Sequence, residues 1–247
     1  PSGVISGQKL GFAFQEPALY LQGHDGFDNL STPFRAVSTD LQTGQMFVPE
    51  GGSLMKAVRA SMSIPGVFPP VNWDGRQLVD GYLARNLPVD VVKAMGADIV
   101  IAVDVGALPS ETDPDKLHTI GGINEQKGYI GARQNVDPMI ALADIVIQPD
   151  LAGISTRDFK RAAETIAPGR EATLAVATQL RELSLGQEDY VAHLRRHKRV
   201  AQPPLIISQL ELENHSIAWD DAILANIQQP LGQELDLNLL KTDLAAI

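Results

Sequence analysis

At 247 residues, the chain is long enough to bury a full hydrophobic core and to form one large domain, or one domain and part of another. Its formal charge of −10 argues against nucleic-acid binding and against electrostatic adsorption to anionic membranes, because both depend on an excess of Lys and Arg. The absence of cysteine excludes disulfides and thiolate metal sites, and no apolar run reaches the roughly 18 residues that a transmembrane helix needs.

The first part of the chain is predicted to contain a β-hairpin followed by a helix. Val4 to Leu21 mixes apolar and polar residues and reads as a loop that leads into a helix. Phe34 to Thr39 alternates apolar and polar residues, which is typical of a strand, and Gln45 to Pro49 is its predicted partner across the turn at Thr43 and Gly44. Ser53 is the predicted N-cap of the next helix.

The middle of the chain predicts a βαβ unit. Gln77 to Val79 is a short apolar run that stops at Asp80. Leu87 to Met95 follows as a helix, with Pro88 suited to its first turn. Asp98 to Val105 is continuous and β-branched, which is typical of a strand buried on both faces. This order would place Asp80 at the carboxyl end of a parallel strand, where ligands and catalytic groups collect.

Downstream, a long surface connection is expected before the last elements, and a short helix within it is left open. Ala107 to Asn135 is rich in turn-forming residues, and its Lys127–Gly131 stretch lacks the spacing of a phosphate-binding loop, which favours a flexible loop. Ala143 to Gln148 reads as a buried strand. The remaining elements before residue 200 read as helices, at Arg157–Ile166, Glu171–Leu185 and Asp189–His197.

A domain boundary is predicted near residue 200, because Ala201–Pro204 ends in two prolines that interrupt both helix and sheet. After it, Leu205 to Leu212 alternates as a strand. Trp219–Ile227 and Asp236–Ile247 read as helices. The chain is therefore divided into residues 1–200 and 201–247.

Several motifs together carry a resemblance to a known family. Ala60–Pro70 (ASMSIPGVFPP), Leu78–Gly81 (LVDG), Asn86–Asp90 (NLPVD) and Met95–Asp98 (MGAD) follow one another in this order. They resemble the second half of a bacterial patatin-like phospholipase, and the likeness extends from about Phe27 to Arg170. The resemblance implies an α/β fold, with three α/β/α layers and a mostly parallel central sheet whose amino-terminal part is missing.

The resemblance also implies a mechanism, that of a serine lipid acyl hydrolase of the phospholipase A type. The family uses a Ser–Asp dyad, and its aspartate lies in a D-G-[G/A] motif, which corresponds here to Asp80 and Gly81. Its serine lies in G-x-S-x-G, which is absent from this chain, so the chain alone is predicted to be inactive. Asn86 is a predicted support residue, and Tyr82 departs from the small residue that the family carries. No cofactor and no metal ion are implied.

Other interpretations of the same residues stay open at this stage. Asp80–Gly81 is also a common turn dipeptide, since Asp bonds its own backbone and Gly adopts a positive φ. Asp104 and Asp150 are candidates for the rim of the site or caps of the next element. Arg85 and Asn86 are predicted either to line the cleft or to hold the turn. His193 and His197 share helical spacing, but the cations between them favour a solvated face over a metal site.

The end of the chain resembles the start of a POTRA module, the periplasmic repeat that precedes outer-membrane barrels, at Leu210, Glu213–Asn214 and the stretch from Gly232 to Leu244. This likeness implies an outer-membrane barrel in the same full-length chain and a periplasmic, outer-membrane or secreted location, with the cytoplasm as the alternative. The expected partner is a lipid or phospholipid ester, met in transient contact with a membrane surface. The alternatives are a non-catalytic relative that binds lipid or a partner, and a secretion subunit.

Overall fold

The computed structural model describes residues 26–106, 108, 112–151, 153–154, 158–196, 204–212, 214 and 219–246. These fall into two compact units, with residues 26–196 in one and 204–246 in the other. The loop and helix predicted at Val4–Leu21, and most of the boundary predicted at Ala201–Pro204, lie outside the described residues. Within the described ranges, no helix is long and apolar enough to cross a membrane.

A four-stranded antiparallel sheet organises the first unit. Its strands are β1 (Ser38–Asp40), β2 (Met46–Phe47), β3 (Val71–Trp73) and β4 (Arg76–Asp80), in the order β2-β1-β4-β3. Ser38 pairs with Phe47 across the first hairpin, which confirms the predicted partnership of these two segments with shorter strands than expected. On its other side, β1 pairs antiparallel with β4.

The β3–β4 hairpin was not anticipated from the sequence. Its turn consists of Asp74 and Gly75, with φ angles of 48° and 84°. Two successive positive φ angles give a turn whose twist matches that of the flanking strands, and Asp-Gly is a strong local signal for it. The turn is supported by the side chain of Asn72, whose Oδ1 accepts a hydrogen bond from the Gly75 N–H at 3.1 Å.

A separate parallel pair consists of β5 (Ile101–Val103) and β6 (Ile145–Ile147). The predicted βαβ unit that joins β4 to β5 is therefore wrong. Both edges of β4 are occupied by antiparallel neighbours, β1 and β3, so β4 has no free edge for β5. The α/β class holds, but the strands of the described residues are not mostly parallel.

The prediction that Asp98–Val105 is buried on both faces is also wrong. Val100, Ala102 and Asp104 are buried, whereas Ile101 and Val103 are 44% and 49% exposed. The buried face contributes to a core that contains residues from β5 and from the helices around it. Its members are Leu87, Val89, Val100, Ala102, Val136 and Met139.

Two of the predicted helices are confirmed in position. The first, α1 (Leu54–Ser61), is capped by Ser53, whose Oγ accepts a hydrogen bond from the Lys56 N–H. After the four-residue helix α2 (Tyr82–Arg85) comes α3 (Val89–Ala94), which begins directly after Pro88. Each of these helices is short, and α1 packs against the antiparallel sheet.

The long loop predicted over Ala107–Asn135 is wrong in its second half. A 3₁₀ helix at Pro114–His118 leads into α4 (Ile120–Ile140), which contains the Lys127–Gly131 stretch. Thr119 caps α4 by accepting a hydrogen bond from the Gly122 N–H at 3.0 Å. The glycines lower helix propensity, but burial of Val136 and Met139 in the core compensates for it.

The rest of the first unit is helical. A 3₁₀ helix at Phe159–Thr165 passes directly into α5 (Ile166–Ala175), followed by α6 (Ala177–Glu182) and α7 (Gln187–Arg196). The predicted helix end at Ile166 is wrong, because α5 begins there. Pro168 lies in its first turn, where its missing N–H costs no helical hydrogen bond.

The second unit contains α8 (Asp220–Leu224) and α9 (Leu237–Ala246), which confirm two predicted helices in shortened form. The strand predicted over Leu205–Leu212 is represented by an antiparallel bridge between Ile206 and Glu234. Asp243 is buried, and its Oδ2 accepts hydrogen bonds from the Gln228 and Gln229 N–H groups.

Candidate active site

Asp80 is the last residue of β4, and its backbone is held from both sides. Its N–H donates to the carbonyl oxygen of Ser63 at 2.9 Å. Its carbonyl oxygen accepts a hydrogen bond from Thr39 Oγ1 at 2.9 Å, and the same hydroxyl accepts from the Ala84 N–H at 3.2 Å. Thr39 therefore ties the end of β4 to the helix that follows it.

The carboxyl group of Asp80 is half-buried and has one hydrogen bond to a neighbouring backbone group. Its Oδ1 accepts from the Tyr82 N–H at 2.9 Å. Burial raises the pKa of Asp80, and the hydrogen bond from Tyr82 opposes that effect. None of the ion pairs formed by the described residues includes Asp80. A carboxylate in this environment is a stronger base than an exposed aspartate.

Gly81 is required for space and not for an unusual backbone angle. It has φ −65° and ψ −15°, which any residue can adopt. A Cβ placed on it would overlap the carbonyl oxygen of Val37 and would lie 2.9 Å from its carbonyl carbon. The interpretation of Asp80–Gly81 as a turn with a positive φ at glycine is therefore wrong, and the dipeptide allows α2 to start directly against β1.

Asp80 lines a pocket of about 390 Å³ between α1, α2 and the segment before β1. Its lining combines apolar side chains with two arginines. The lining residues are Phe34, Arg35, Ala36, Val37, Val58, Ser61, Met62, Asp80, Gly81, Tyr82, Arg85, Asn86 and Pro88. Each arginine already has a carboxylate partner, Asp28 for Arg35 at 2.8 Å and Asp90 for Arg85 at 3.2 Å. The pocket is therefore better suited to an apolar chain than to an anion.

Tyr82 lies in the wall of this pocket next to Asp80. Its carbonyl oxygen accepts a hydrogen bond from Asn135 Nδ2 at 3.4 Å. Its hydroxyl lies close to α4, since a Cβ built on Gly128 would be 3.5 Å from it.

Both alternatives for Arg85 and Asn86 hold at once. They line the pocket, and they also fix the turn after α2. The Asn86 N–H donates to Asn135 Oδ1 at 3.0 Å, and Arg85 forms its ion pair with Asp90. The two residues therefore belong to the boundary of the pocket through contacts that are mainly structural.

Asp104 does not line the pocket. It is buried, it accepts a hydrogen bond from the Gly106 N–H at 3.0 Å, and it forms an ion pair with Arg133 of α4 at 2.6 Å. This favours its interpretation as a cap and a structural anion. Asp150 is also not among the residues that line the pocket.

Only one residue of the predicted histidine pair is among the described residues. His193 lies on α7, and His197 is outside the described residues. Over the part of the chain that the structure describes, no group of three or more His, Cys, Asp or Glu side chains is arranged to hold a metal ion.

Sequence reasoning missed the residue that lies opposite Asp80 on the sheet. Ser38 pairs with Asp80 in the β1–β4 register. It also missed Ser61 and Met62 as pocket residues, because the contact depends on how α1 packs. The strand patterns of both β1 and β4 were recognised, but the sequence carries no local signal for their pairing.

Comparison with known proteins bears on the resemblance noted in the sequence. Residues 11–93 match the family model for patatin-like phospholipases. The mouse patatin-like phospholipase domain-containing protein 6 is 39% identical over 132 residues, which cover 53% of this chain and 9% of that protein. The mouse patatin-like phospholipase domain-containing protein 7 is 47% identical over 88 residues, 35% of this chain and 6% of that protein.

A fungal relative gives a similar result. Lysophospholipase NTE1 of Meyerozyma guilliermondii is 30% identical over 118 residues, which cover 48% of this chain and 8% of that protein. The chain thus spans a small fraction of each of these relatives. The family model begins upstream of the predicted start at Phe27 and ends well before the predicted end at Arg170. Over residues 11–93, the resemblance of this chain to the patatin-like phospholipases is confirmed.

Proposed function

We propose that this chain supplies the base of a serine lipid acyl hydrolase, with Asp80 as that base and the nucleophilic serine contributed by a segment outside these 247 residues. The observation that supports the proposal is the setting of Asp80. Its carboxyl group is half-buried beside a mainly apolar pocket, and none of the ion pairs of the described residues uses it. A carboxylate that forms no ion pair and is partly desolvated in a pocket is suited to proton transfer.

The proposed reaction proceeds in two steps. Asp80 takes the proton of the serine hydroxyl while the serine oxygen bonds to the ester carbonyl carbon, and it then gives that proton to the departing alcohol. Water next attacks the acyl-enzyme with Asp80 again as base, which releases the fatty acid and restores the serine. No histidine, metal ion or cofactor takes part in these steps.

The proposed substrate is a lipid ester whose acyl chain occupies the pocket. Similar proteins are named patatin-like phospholipase and lysophospholipase, and phospholipid esters are the corresponding substrate class. Because Arg35 and Arg85 are each neutralised by an aspartate, the pocket is better suited to a hydrocarbon chain than to a phosphate group. Transient contact with a membrane surface would deliver such a substrate.

The test is the labelling of full-length protein with a fluorophosphonate probe, together with hydrolysis of a short-chain phospholipid. Asp80→Asn should lower kcat/KM by a factor on the order of 1,000, because it removes the base but keeps the shape of the side chain. Asp98→Asn, which alters an exposed aspartate outside the pocket, is the matched control and should leave kcat/KM unchanged. Full activity in Asp80→Asn, or ester hydrolysis by the 247-residue chain alone, would overturn the proposal.

A second candidate is a non-catalytic relative that binds lipid. The position of Tyr82 in the pocket wall favours it, because a phenol next to Asp80 reduces the room for an acyl chain at the reacting carbon. This candidate predicts that full-length protein binds phospholipid vesicles but neither reacts with the probe nor hydrolyses any ester.

The likeness of residues 201–247 to a POTRA module, and the periplasmic, outer-membrane or secreted location that it implies, stay predictions. So does a bacterial source. Fractionation of cells that express the full-length protein, with protease accessibility of the second unit as readout, tests the location.

A further inference from the structure

The register of the antiparallel sheet places a buried hydroxyl directly across from Asp80. Ser38 of β1 pairs with Asp80 of β4, so the two side chains project from the same face of the sheet with their Cβ atoms about 5 Å apart. Helix α1 packs against both β1 and β4, the strands that carry Ser38 and Asp80.

The Ser38 hydroxyl is unsatisfied. The residue is 1% exposed, and its Oγ has no hydrogen-bond partner among the residues that the structure describes. An unpaired buried hydroxyl is unfavourable, so its presence calls for a partner that the group can reach by rotation about χ1. The carboxyl group of Asp80 is the polar group directly opposite on the ladder, and of its two oxygens Oδ1 is the one that accepts from the Tyr82 N–H.

We propose that Ser38 is a positioning residue for Asp80. The Ser38 hydroxyl donates a hydrogen bond to Asp80 Oδ2, the carboxylate oxygen that does not accept from the Tyr82 N–H. With both oxygens held, the carboxylate keeps one orientation towards the pocket. A hydroxyl can donate to a carboxylate and accept from a carboxylic acid, so the contact survives when Asp80 takes up a proton. The contact itself does not depend on catalysis; its role in turnover rests on the proposed function.

Other charged groups near Asp80 have partners of their own. In the pocket wall, Arg35 is paired with Asp28, and Arg85 with Asp90. On α1, the guanidinium group of Arg59 donates to Ser63 Oγ at 2.6 Å. On β1, Asp40 accepts a hydrogen bond from the Gln42 N–H. None of these contacts involves Ser38, so a change confined to Ser38 reports on its own effect on Asp80.

The first test is titration of Asp80 in the 247-residue chain by NMR, with ¹³C-labelled aspartate carboxyl groups. The Asp80 resonance is identified by its loss in Asp80→Asn. Ser38→Ala should move the Asp80 midpoint to higher pH, because the ionised form loses a donor. Ser184→Ala is the control, since it removes a hydroxyl that donates to the Arg181 carbonyl oxygen outside the pocket, and it should leave the midpoint unchanged. An unchanged or lower midpoint in Ser38→Ala would overturn the inference.

Thermal unfolding separates positioning from a purely structural role. If Ser38 bonds to the carboxylate, Ser38→Ala should lower Tm more near neutral pH than at a pH where Asp80 is protonated, because a hydrogen bond to a charged acceptor is the stronger one. If Ser38 has no such contact, removal of an unsatisfied hydroxyl should raise Tm at both pH values, which contradicts the proposal. Should Ser38→Ala fail to fold, Ser38→Cys tests the same point. Its thiol is a weaker donor, so a smaller upward movement of the Asp80 midpoint is expected, and no movement would contradict the contact.

Kinetics of the full-length protein supply the functional readout. Ser38→Ala should move the acid limb of the kcat/KM profile to higher pH and lower kcat/KM about tenfold on that limb, in step with the NMR midpoint. If the full-length protein hydrolyses no ester, the proposed function fails, while the NMR titration still decides whether Ser38 contacts Asp80. If Ser38→Ala shifts the NMR midpoint of Asp80 but not the acid limb of the kcat/KM profile, Ser38 does not position the catalytic base.

Discussion

Gly81 lies so close to Val37 that a Cβ at position 81 would overlap the Val37 carbonyl oxygen. This close approach, and not a left-handed backbone angle, accounts for glycine after Asp80. Gly81→Ala is therefore expected to push α2 away from β1 and to destabilise the fold by about 1–3 kcal/mol, as overpacking typically does. Urea unfolding of the 247-residue chain measures the loss.

Gly131→Ala is the matched control for Gly81→Ala. A Cβ at Gly131 meets no atom within 4 Å, and the residue lies inside α4. Alanine is favoured over glycine in a helix interior by about 1 kcal/mol, so this variant should be as stable as the parent or more stable. Equal stability losses in the two variants would contradict the steric explanation for Gly81.

The raised pKa of Asp80 predicts how stability depends on pH. Burial is the first cause of the shift, so the folded state holds the Asp80 proton more tightly than the unfolded chain does. As pH rises through the interval between the unfolded and folded pKa values, the Asp80 contribution to the free energy of unfolding therefore falls. Asp80→Asn should be more stable than the parent near neutral pH.

This advantage of Asp80→Asn should disappear at a pH below the unfolded pKa of aspartate, where the parent carboxyl group is protonated in both states. Thermal melts of parent and variant across that range measure it. Asp98→Asn, at an exposed position, serves as the reference for removal of one negative charge. A parent that is more stable than Asp80→Asn at neutral pH would contradict the predicted cost of ionisation.

The sequence predicted the local elements better than it predicted their partners. Ser53 as a cap and Pro88 before α3 are local signals, and the structure confirms both helices. The pairing of β4 is a tertiary property that depends on the Asp74–Gly75 turn, which brings β3 against β4. Once β4 is part of a hairpin, its parallel pairing with β5 is excluded.

The same distinction applies to the candidate site. Asp80, Gly81, Tyr82 and Asn86 are neighbours in the chain, and all of them line one pocket. Ser38 reaches the site through strand register and Ser61 through packing of α1, and neither relationship has a sequence period or spacing that would reveal it. The positions of Ser38 and Ser61 relative to Asp80 therefore depend on strand pairing and helix packing, which local sequence patterns do not encode.

Tyr82 is expected to limit the size of the acyl chain near Asp80, because it lines the pocket and follows Asp80 by two residues. In the full-length protein, Tyr82→Gly should raise kcat on bulky esters relative to short ones. Tyr82→Phe keeps the ring and should leave this ratio unchanged. Equal or lower turnover of bulky esters in Tyr82→Gly would count against a steric role for Tyr82.

The pair of Arg133 and Asp104 is expected to be the ion pair whose disruption is most costly among those of the described residues. The Asp104 side chain is 1% exposed and that of Arg133 14%, whereas the exposed fractions in the Lys93–Asp144 pair are 39% and 41%. Arg133→Met would leave a buried carboxylate without its cation, which typically costs about 3–5 kcal/mol. Lys93→Met, the exposed counterpart, should cost no more than about 1 kcal/mol.

Urea unfolding of both variants, together with the double variant Arg133→Met/Asp104→Asn, measures this difference. The second substitution should recover part of the stability, since it removes the unpaired charge while its one amide oxygen still accepts from either the Gly106 N–H or Gln148 Nε2. A loss in Arg133→Met as small as that in Lys93→Met would mean that water or another donor reaches Asp104. In that case the polar group at the ends of β5 and β6 would be open to solvent, contrary to its burial in the structure.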